Sequence, residues 1–226
     1  MRKAWLAMAL VGVLAIWSPP AKAVVLYDNG SYDPLAEGYY NSNENGLYLS
    51  YDDFTLANPA TISDVHWWGV YLTGPTSPDV FTYIIRTNPG GGGPPGAEIA
   101  SGPLSDLVVT DTGNTLPGPG EIGTVEVYQY DADTAGLYLP AGDYYLSIIE
   151  NATEGADPDS WCWCESNPSA GDTYLYAQKQ YQEFEGPYPV SLAFNLTGEP
   201  VPEPATITLF GLCLAGLVGR QIRRRK

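Results

Sequence analysis

Basic side chains are nearly absent from the middle of this 226-residue chain. Between residues 24 and 199 only Arg86 and Lys179 are positive, against 25 carboxylates, so that segment stands at −23 while the whole chain stands at −16. A surface of that sign repels phosphate backbones and anionic lipid, keeps an exported protein soluble and attracts divalent cations. Nucleic-acid binding is excluded. Histidine is just as scarce: His66 alone is present, and the alternation around it places it on the strand face opposite Val65 and Trp67, half exposed. Any Ser-His-Asp chemistry would depend on it. No G-x-S-x-G turn occurs, and no Gly-rich loop leads into a Lys-Ser or Lys-Thr pair. Carboxylates are so abundant that a pair at glycosidase spacing is not diagnostic. No catalytic residue is expected, and the chain reads as a non-enzyme.

Cysteine is sparse too. Cys213 falls in the C-terminal apolar run, which leaves Cys162 and Cys164 in Trp161-Cys162-Trp163-Cys164. Residues two apart in a strand share a face with Cα atoms roughly 6.6 Å apart, at the edge of disulfide geometry. The pair is therefore either a local bridge or two buried thiols, and one histidine is too few to complete a zinc site with them. No metal ligand set and no cofactor is expected, with calcium the one candidate left open. Asp131-Ala132-Asp133-Thr134-Ala135-Gly136 imitates an EF-hand at three positions, but Ala135 and Gly142 stand where ligands are required. What stays open for calcium is a loop site among Asp28, Asp33, Asp52 and Asp53, or at Asp157 and Asp159. The alternative is that these aspartates are solvated turn residues.

Helical periodicity and internal repeats are missing, which argues against bundles, propellers and solenoids. In their place stand short aromatic and β-branched runs separated by Gly, Pro, Asn and Asp. The alternation predicts strands over 47–51, 62–72, 80–87, 124–130, 143–150 and 172–180. A last strand places Val190, Leu192, Phe194 and Leu196 on a buried face and Ser191, Ala193, Asn195 and Thr197 on a wet one. Loops are expected at Asn88–Gly96 and Gly113–Gly120. Residues 24–199 thus read as one acidic, all-β domain, an antiparallel β-sandwich of jelly-roll-like type. Trp67 and Trp68 are consecutive, so one points inward and one outward, while Trp161 and Trp163 share the face opposite the cysteines. Filling the core is the commoner fate of such rings, and Trp68, Trp161 and Trp163 are the candidate platform for stacking sugar rings if they reach the surface.

Long apolar runs occur only at the two ends. At the N-terminus, Met1-Arg2-Lys3, an apolar stretch from Ala4 to Trp17 and the small residues of Ala21-Lys22-Ala23 form a signal peptide over 1–23. Cleavage by signal peptidase after Ala23 would make Val24 the first mature residue. At the C-terminus, over 200–226, Val201-Pro202-Glu203-Pro204 precedes an apolar run from Ala205 to Gly219 and the end Arg220-Gln221-Ile222-Arg223-Arg224-Arg225-Lys226. The prolines hold the chain extended until a helix begins after them. That helix would be about 22 Å long against a hydrocarbon core of about 30 Å. It crosses only with local thinning and snorkelling, and its basic end stays cytoplasmic. The expected chain is a sandwich flanked by a signal helix and a hydrophobic helix.

The Pro202-Glu203-Pro204 motif, the short hydrophobic helix and the arginine-rich end together resemble the PEP-CTERM sorting tail of Gram-negative exported proteins. The resemblance implies recognition by an exosortase-type membrane protease, a transient inner-membrane intermediate held by the tail, and tail removal. The body is then delivered to the outer surface or the extracellular matrix, often in bacteria that build a biofilm polysaccharide. The body resembles exported bacterial β-sandwich domains through Asp52–Leu56, Ile62–Gly69, Pro95-Gly96 before Ile99–Ser101, and Leu139–Ile148. That second resemblance implies a fold and an extracellular setting, with no activity attached. The expected function is that of a non-enzymatic, exosortase-sorted surface or matrix module, with polysaccharide binding as one version of it. The alternatives are a secreted polysaccharide hydrolase, which needs a cleft with opposed carboxylates, and a calcium-stabilised adhesion module.

Overall fold

The computed structural model describes residues 23–35, 38–42, 48–72, 80–119, 123–151, 161–166, 175–179 and 184–201. The two terminal helices expected from the sequence lie outside these residues, as do Asp157 and Asp159. Among the described residues every regular element is a strand, and every strand pair is antiparallel.

One sheet holds β1 (Val24–Asp28), β2 (Tyr39–Asn41), β4 (Ala60–Tyr71), β7 (Ser105–Pro117), β8 (Thr124–Leu139), β10 (Trp161–Cys164) and β13 (Phe194–Pro200). Its centre is β4, which pairs along one side with β8 and along the other with β13 and then β10. β7 borders β8, β1 borders β13 and β2 borders β10. The second sheet runs β12 (Phe184–Tyr188), β11 (Leu175–Lys179), β3 (Tyr48–Leu56), β9 (Gly142–Glu150), β5 (Phe81–Thr87), β6 (Glu98–Pro103).

Side chains two apart share a strand face, and this period builds the core. Phe54 and Leu56 of β3, Phe81, Tyr83 and Ile85 of β5 and Tyr144, Leu146 and Ile148 of β9 belong to one buried cluster with residues of the other sheet. These are Ile62, Val65 and Trp67 of β4, Tyr130 of β8, Trp161 and Trp163 of β10 and Phe194 and Leu196 of β13. Aromatic rings lock the two layers together: Phe81 meets Trp67 at 5.2 Å and Trp161 at 5.0 Å between centroids, both edge-on. The arrangement is that of two antiparallel sheets sharing one core.

The outer faces are partly covered as well. Trp68, Val70, Leu116, Val125, Val127, Cys162, Cys164 and Ala193 form a second cluster on the far side of the seven-stranded sheet. On the far side of the six-stranded sheet Tyr51, Tyr145 and Tyr176 cluster under the Asn88–Gly96 loop, which is irregular as its sequence predicts. The Tyr145 hydroxyl donates to Gly93 O at 2.9 Å and Arg86 Nη1 to Gly96 O at 3.0 Å, so the loop is pinned by the surface it covers.

Three sequence expectations need correction. The Gly113–Gly120 loop is in part a strand: β7 continues to Pro117, and Thr115, Leu116 and Pro117 pair with Glu126, Val125 and Thr124. Gly113, at φ 70°, absorbs the irregularity in a bulge closed by Asp111 Oδ1, after which the ladder resumes. The strand expected to stop at Tyr130 runs on to Leu139, so the imitation of an EF-hand is a bulge in β8. There Ala135 and Gly136 take positive φ, and Thr134 is tucked inside with its hydroxyl on Ile62 O at 2.7 Å. The last strand starts at Phe194, and Ala193 on its supposedly wet side is fully buried beneath the outer cluster.

Candidate functional site

The tryptophans expected to offer a sugar platform are inside the protein. Trp161 and Trp163 are 0% exposed and Trp68 is 9% exposed. The strand alternation is as expected, with Trp67, Trp161 and Trp163 facing the main core and Trp68 the opposite way. What the alternation does not reveal is that the outward-facing Trp68 is itself buried, in a second cluster with Leu116 of β7 and Val125 and Val127 of β8. Trp163 Nε1 donates to Ala193 O at 2.9 Å, and the Trp161 indole lies so close to β4 that a Cβ at Gly69 would fall 2.5 Å from its ring nitrogen. None of the three presents a stacking face, so the platform is withdrawn.

The cysteine pair is not bridged. Cys162 pairs with Asn41 and Val70 on its two sides and Cys164 with Tyr39, so drawing the sulfurs together would bend a strand held in a ladder. Burial pushes the Cys162 thiol up to about 12, with Glu150 adding to it, and burial also raises Cys164 strongly. Thiolate is the reactive form, so both groups are inert in the folded protein. Iodoacetamide at pH 8 is expected to leave both unmodified until denaturant is added and to modify both afterwards; labelling of the native body at either position would contradict this placement.

His66 sits half exposed on the outer face of the seven-stranded sheet, as its pattern predicts. Its Nδ1 meets Asp131 Oδ1 across the β4–β8 pair, and its Nε2 lies 3.3 Å from Thr197 Oγ1 on β13. This wiring has the outline of an acid, base and hydroxyl relay. Thr197 Oγ1, however, donates to Asp64 Oδ2 at 3.0 Å, and Ser63 donates to the same oxygen. Burial alone would raise the Asp64 carboxyl; hydrogen bonds from Ser63, Thr197 and Asp133, with His66 nearby, bring it below the usual carboxylate range. The surrounding backbone is engaged in the β13–β4–β8 ladders rather than presented as an oxyanion hole. The cluster is a cross-strand polar network on a sheet face.

Among the described residues no group of three His, Cys, Asp or Glu side chains converges as a metal site. Asp28 and Asp33 close local turns through Gly30 N at 2.9 Å and Leu35 N at 2.8 Å. Asp52 departs most from the loop expectation. It shares the inner strand face with Phe54 and Leu56 and is fully buried. Its Oδ2 accepts from Asn29 Nδ2 at 2.7 Å and Leu192 N at 2.6 Å, and its Oδ1 from Asp53 N at 3.0 Å. Asn29, also buried, turns its second Nδ2 hydrogen to Leu192 O at 2.8 Å. The pair is a polar staple that ties β3 of one sheet to the segment entering β13 of the other. Burial, offset only in part by these hydrogen bonds, pushes the Asp52 carboxyl well above its ordinary value.

The two ends of the body meet. β1 begins at Val24, which pairs with Gly198, and β13 ends at Pro200, after which Val201 N donates to Pro59 O at 2.8 Å. Residues 200–225, immediately beyond, match the family model of the PEP-CTERM protein-sorting motif. The chain carries a PEP-CTERM sorting tail. Such a tail implies an exported protein processed by exosortase at a membrane-associated sorting step on the way to the cell surface. The PEP motif starts one residue after Val201, so the sorting tail is joined to the folded body with almost no linker. No curated protein matches the chain closely enough to count as a relative.

Proposed function

We propose that the chain is a sorted surface or matrix module: a non-enzymatic, acidic two-sheet body without a bound cofactor. A signal peptide delivers it to the outside face of the inner membrane, and exosortase releases it there through the PEP-CTERM tail. The sorting motif at residues 200–225 carries this reading. Support for a structural rather than catalytic role comes from the one histidine, which is committed to a network on a paired sheet face. The jelly-roll-like topology belongs to the same proposal. Polysaccharide contact through Trp68, Trp161 and Trp163 does not, because those rings are buried.

Expression in two otherwise identical bacteria, with and without an exosortase, tests the proposal. With the protease, mass spectrometry is expected to find a body in the surface or medium fraction that starts at Val24 and lacks the hydrophobic tail. Without it, the tail is expected to stay attached, in the inner-membrane fraction. Intact Met1 and Lys226 recovered from cytosol in either host would sink the reading.

A further inference from the structure

Strand register places Val24, Val25, Pro59, Ala60, Tyr138, Leu139, Pro200 and Val201 at one end of the body. Val24, Val25, Tyr138 and Val201 there are large apolar side chains exposed by 45%, 61%, 56% and 37%. Val25 and Tyr138 each present more than half of their surface to water. Beside them, the turns at Ala57-Asn58 and Pro140-Ala141 are also exposed. Among the described residues Asp143 and Glu199 are the charged groups at this end, and Asp143 already accepts from Thr55 Oγ1 at 2.7 Å. Attraction to anionic headgroups therefore plays no part here.

The covalent chain says what lies opposite. Four residues, 201 to 204, separate Pro200 from the apolar run that begins at Ala205. Fully extended they reach about 14 Å at most. The headgroup layer on one side of a bilayer takes up roughly 5–8 Å of that. Once the apolar run is in the membrane, the end of β13 has nowhere to go but the interface.

We propose that this end of the body is a membrane-docking face, seated on the lipid surface during the tail-anchored stage, with Val24, Val25, Tyr138 and Val201 as its apolar contacts. The occupant is lipid, held by a short tether and apolar side chains. Because Val24 pairs with Gly198, a preprotein that still has its N-terminal apolar run would enter the same membrane through the same face. The inference deepens the sorting-tail reading and rests on it. It fixes the orientation in which the body meets the protease: β13 stands on the membrane, with the PEP motif in the interfacial layer and the opposite end of β8 pointing away.

Spin labelling of the full chain in phosphatidylcholine/phosphatidylglycerol vesicles tests it, in a Cys213→Ser background so that the tail takes no label. One nitroxide is attached through Ala57→Cys at the docking face. The other goes through Thr124→Cys at the far end of the 16-residue β8, roughly 50 Å of strand away. Both positions are exposed, while Cys162 and Cys164 are buried. The label at 57 is expected to be several-fold less accessible to a water-soluble nickel chelate than the label at 124, and several-fold more accessible to oxygen, which concentrates in lipid. Vesicles that float without the protein would overturn the sorting-tail reading. Co-flotation with equal chelate access at the two labels would overturn the docking inference alone and leave the protease as the partner of that face.

Discussion

Trp67→Ala is expected to destabilise the body by about 3–5 kcal/mol, the usual cost of emptying a large aromatic site in a packed core. For a domain of this size that lowers the melting temperature by roughly 6–20 °C. Trp67 is 0% exposed, stacks on Tyr130 at 5.2 Å with planes 10° apart and takes the edge of Phe81 at 5.2 Å. Both rings lose their contact with Trp67 together, and the hole opens where the two sheets meet. Trp67→Phe restores part of the contact and is expected to cost clearly less. Thermal unfolding followed by near-UV circular dichroism reads both variants; an alanine variant that melts with the parent would mean that the sheets are not joined through this residue. The same reasoning bears on binding assays. Loss of a ligand on replacing Trp161 or Trp163 would report a collapsed core, because neither ring reaches the surface.

Asp52 gives the second large effect and an unusual pH dependence. Asp52→Ala removes the acceptor of Asn29 Nδ2 and of Leu192 N inside the protein, and each buried donor left without a partner costs about 1–3 kcal/mol. Asp52→Asn keeps an acceptor for both and is expected to be milder. The folded-state carboxyl sits above its ordinary value because it is buried. Between the ordinary carboxylate range and that raised value, the folded state therefore holds a proton that the unfolded chain has released. Stability from this group is gained as pH falls through that window and lost as pH rises through it, the reverse of a salt-bridged aspartate. Denaturant unfolding at stepped pH should show the parent gaining on Asp52→Asn with acidification. A constant gap between the two would show that Asp52 titrates alike in both states.

Much of the sandwich is legible in the sequence because it is written as alternation. Val65 and Trp67, Phe54 and Leu56, and Leu192, Phe194 and Leu196 each keep the period that carries them into the core. The same period places Asp52 inside, in step with Phe54 and Leu56, yet an aspartate beside another aspartate reads as a turn. Residue type outweighed register there. Alternation is silent on what covers a sheet's outer face, which is why Trp68 and Ala193 read as exposed. Both instead belong to a buried cluster on that face with Leu116, Val125 and Val127 of the β7–β8 pair. Gly113, at the head of a Gly-rich stretch, reads as the start of a loop, yet it and Gly136 each mark a bulge that the ladder steps across. The sorting tail was the easiest part to read, because its physics is local and needs no partner elsewhere in the chain.

The pairing of β1 with β13 imposes an order on events outside the cell membrane. The first strand to emerge finds its neighbour only when the last one has crossed, so until then β4 carries an open flank where β13 belongs. A contact of such long sequence separation closes slowly, and an open flank invites pairing with other chains. A chain stalled in translocation would therefore be a sticky, protease-sensitive intermediate, while a completed one seals its flank in the step that brings the PEP motif to the surface.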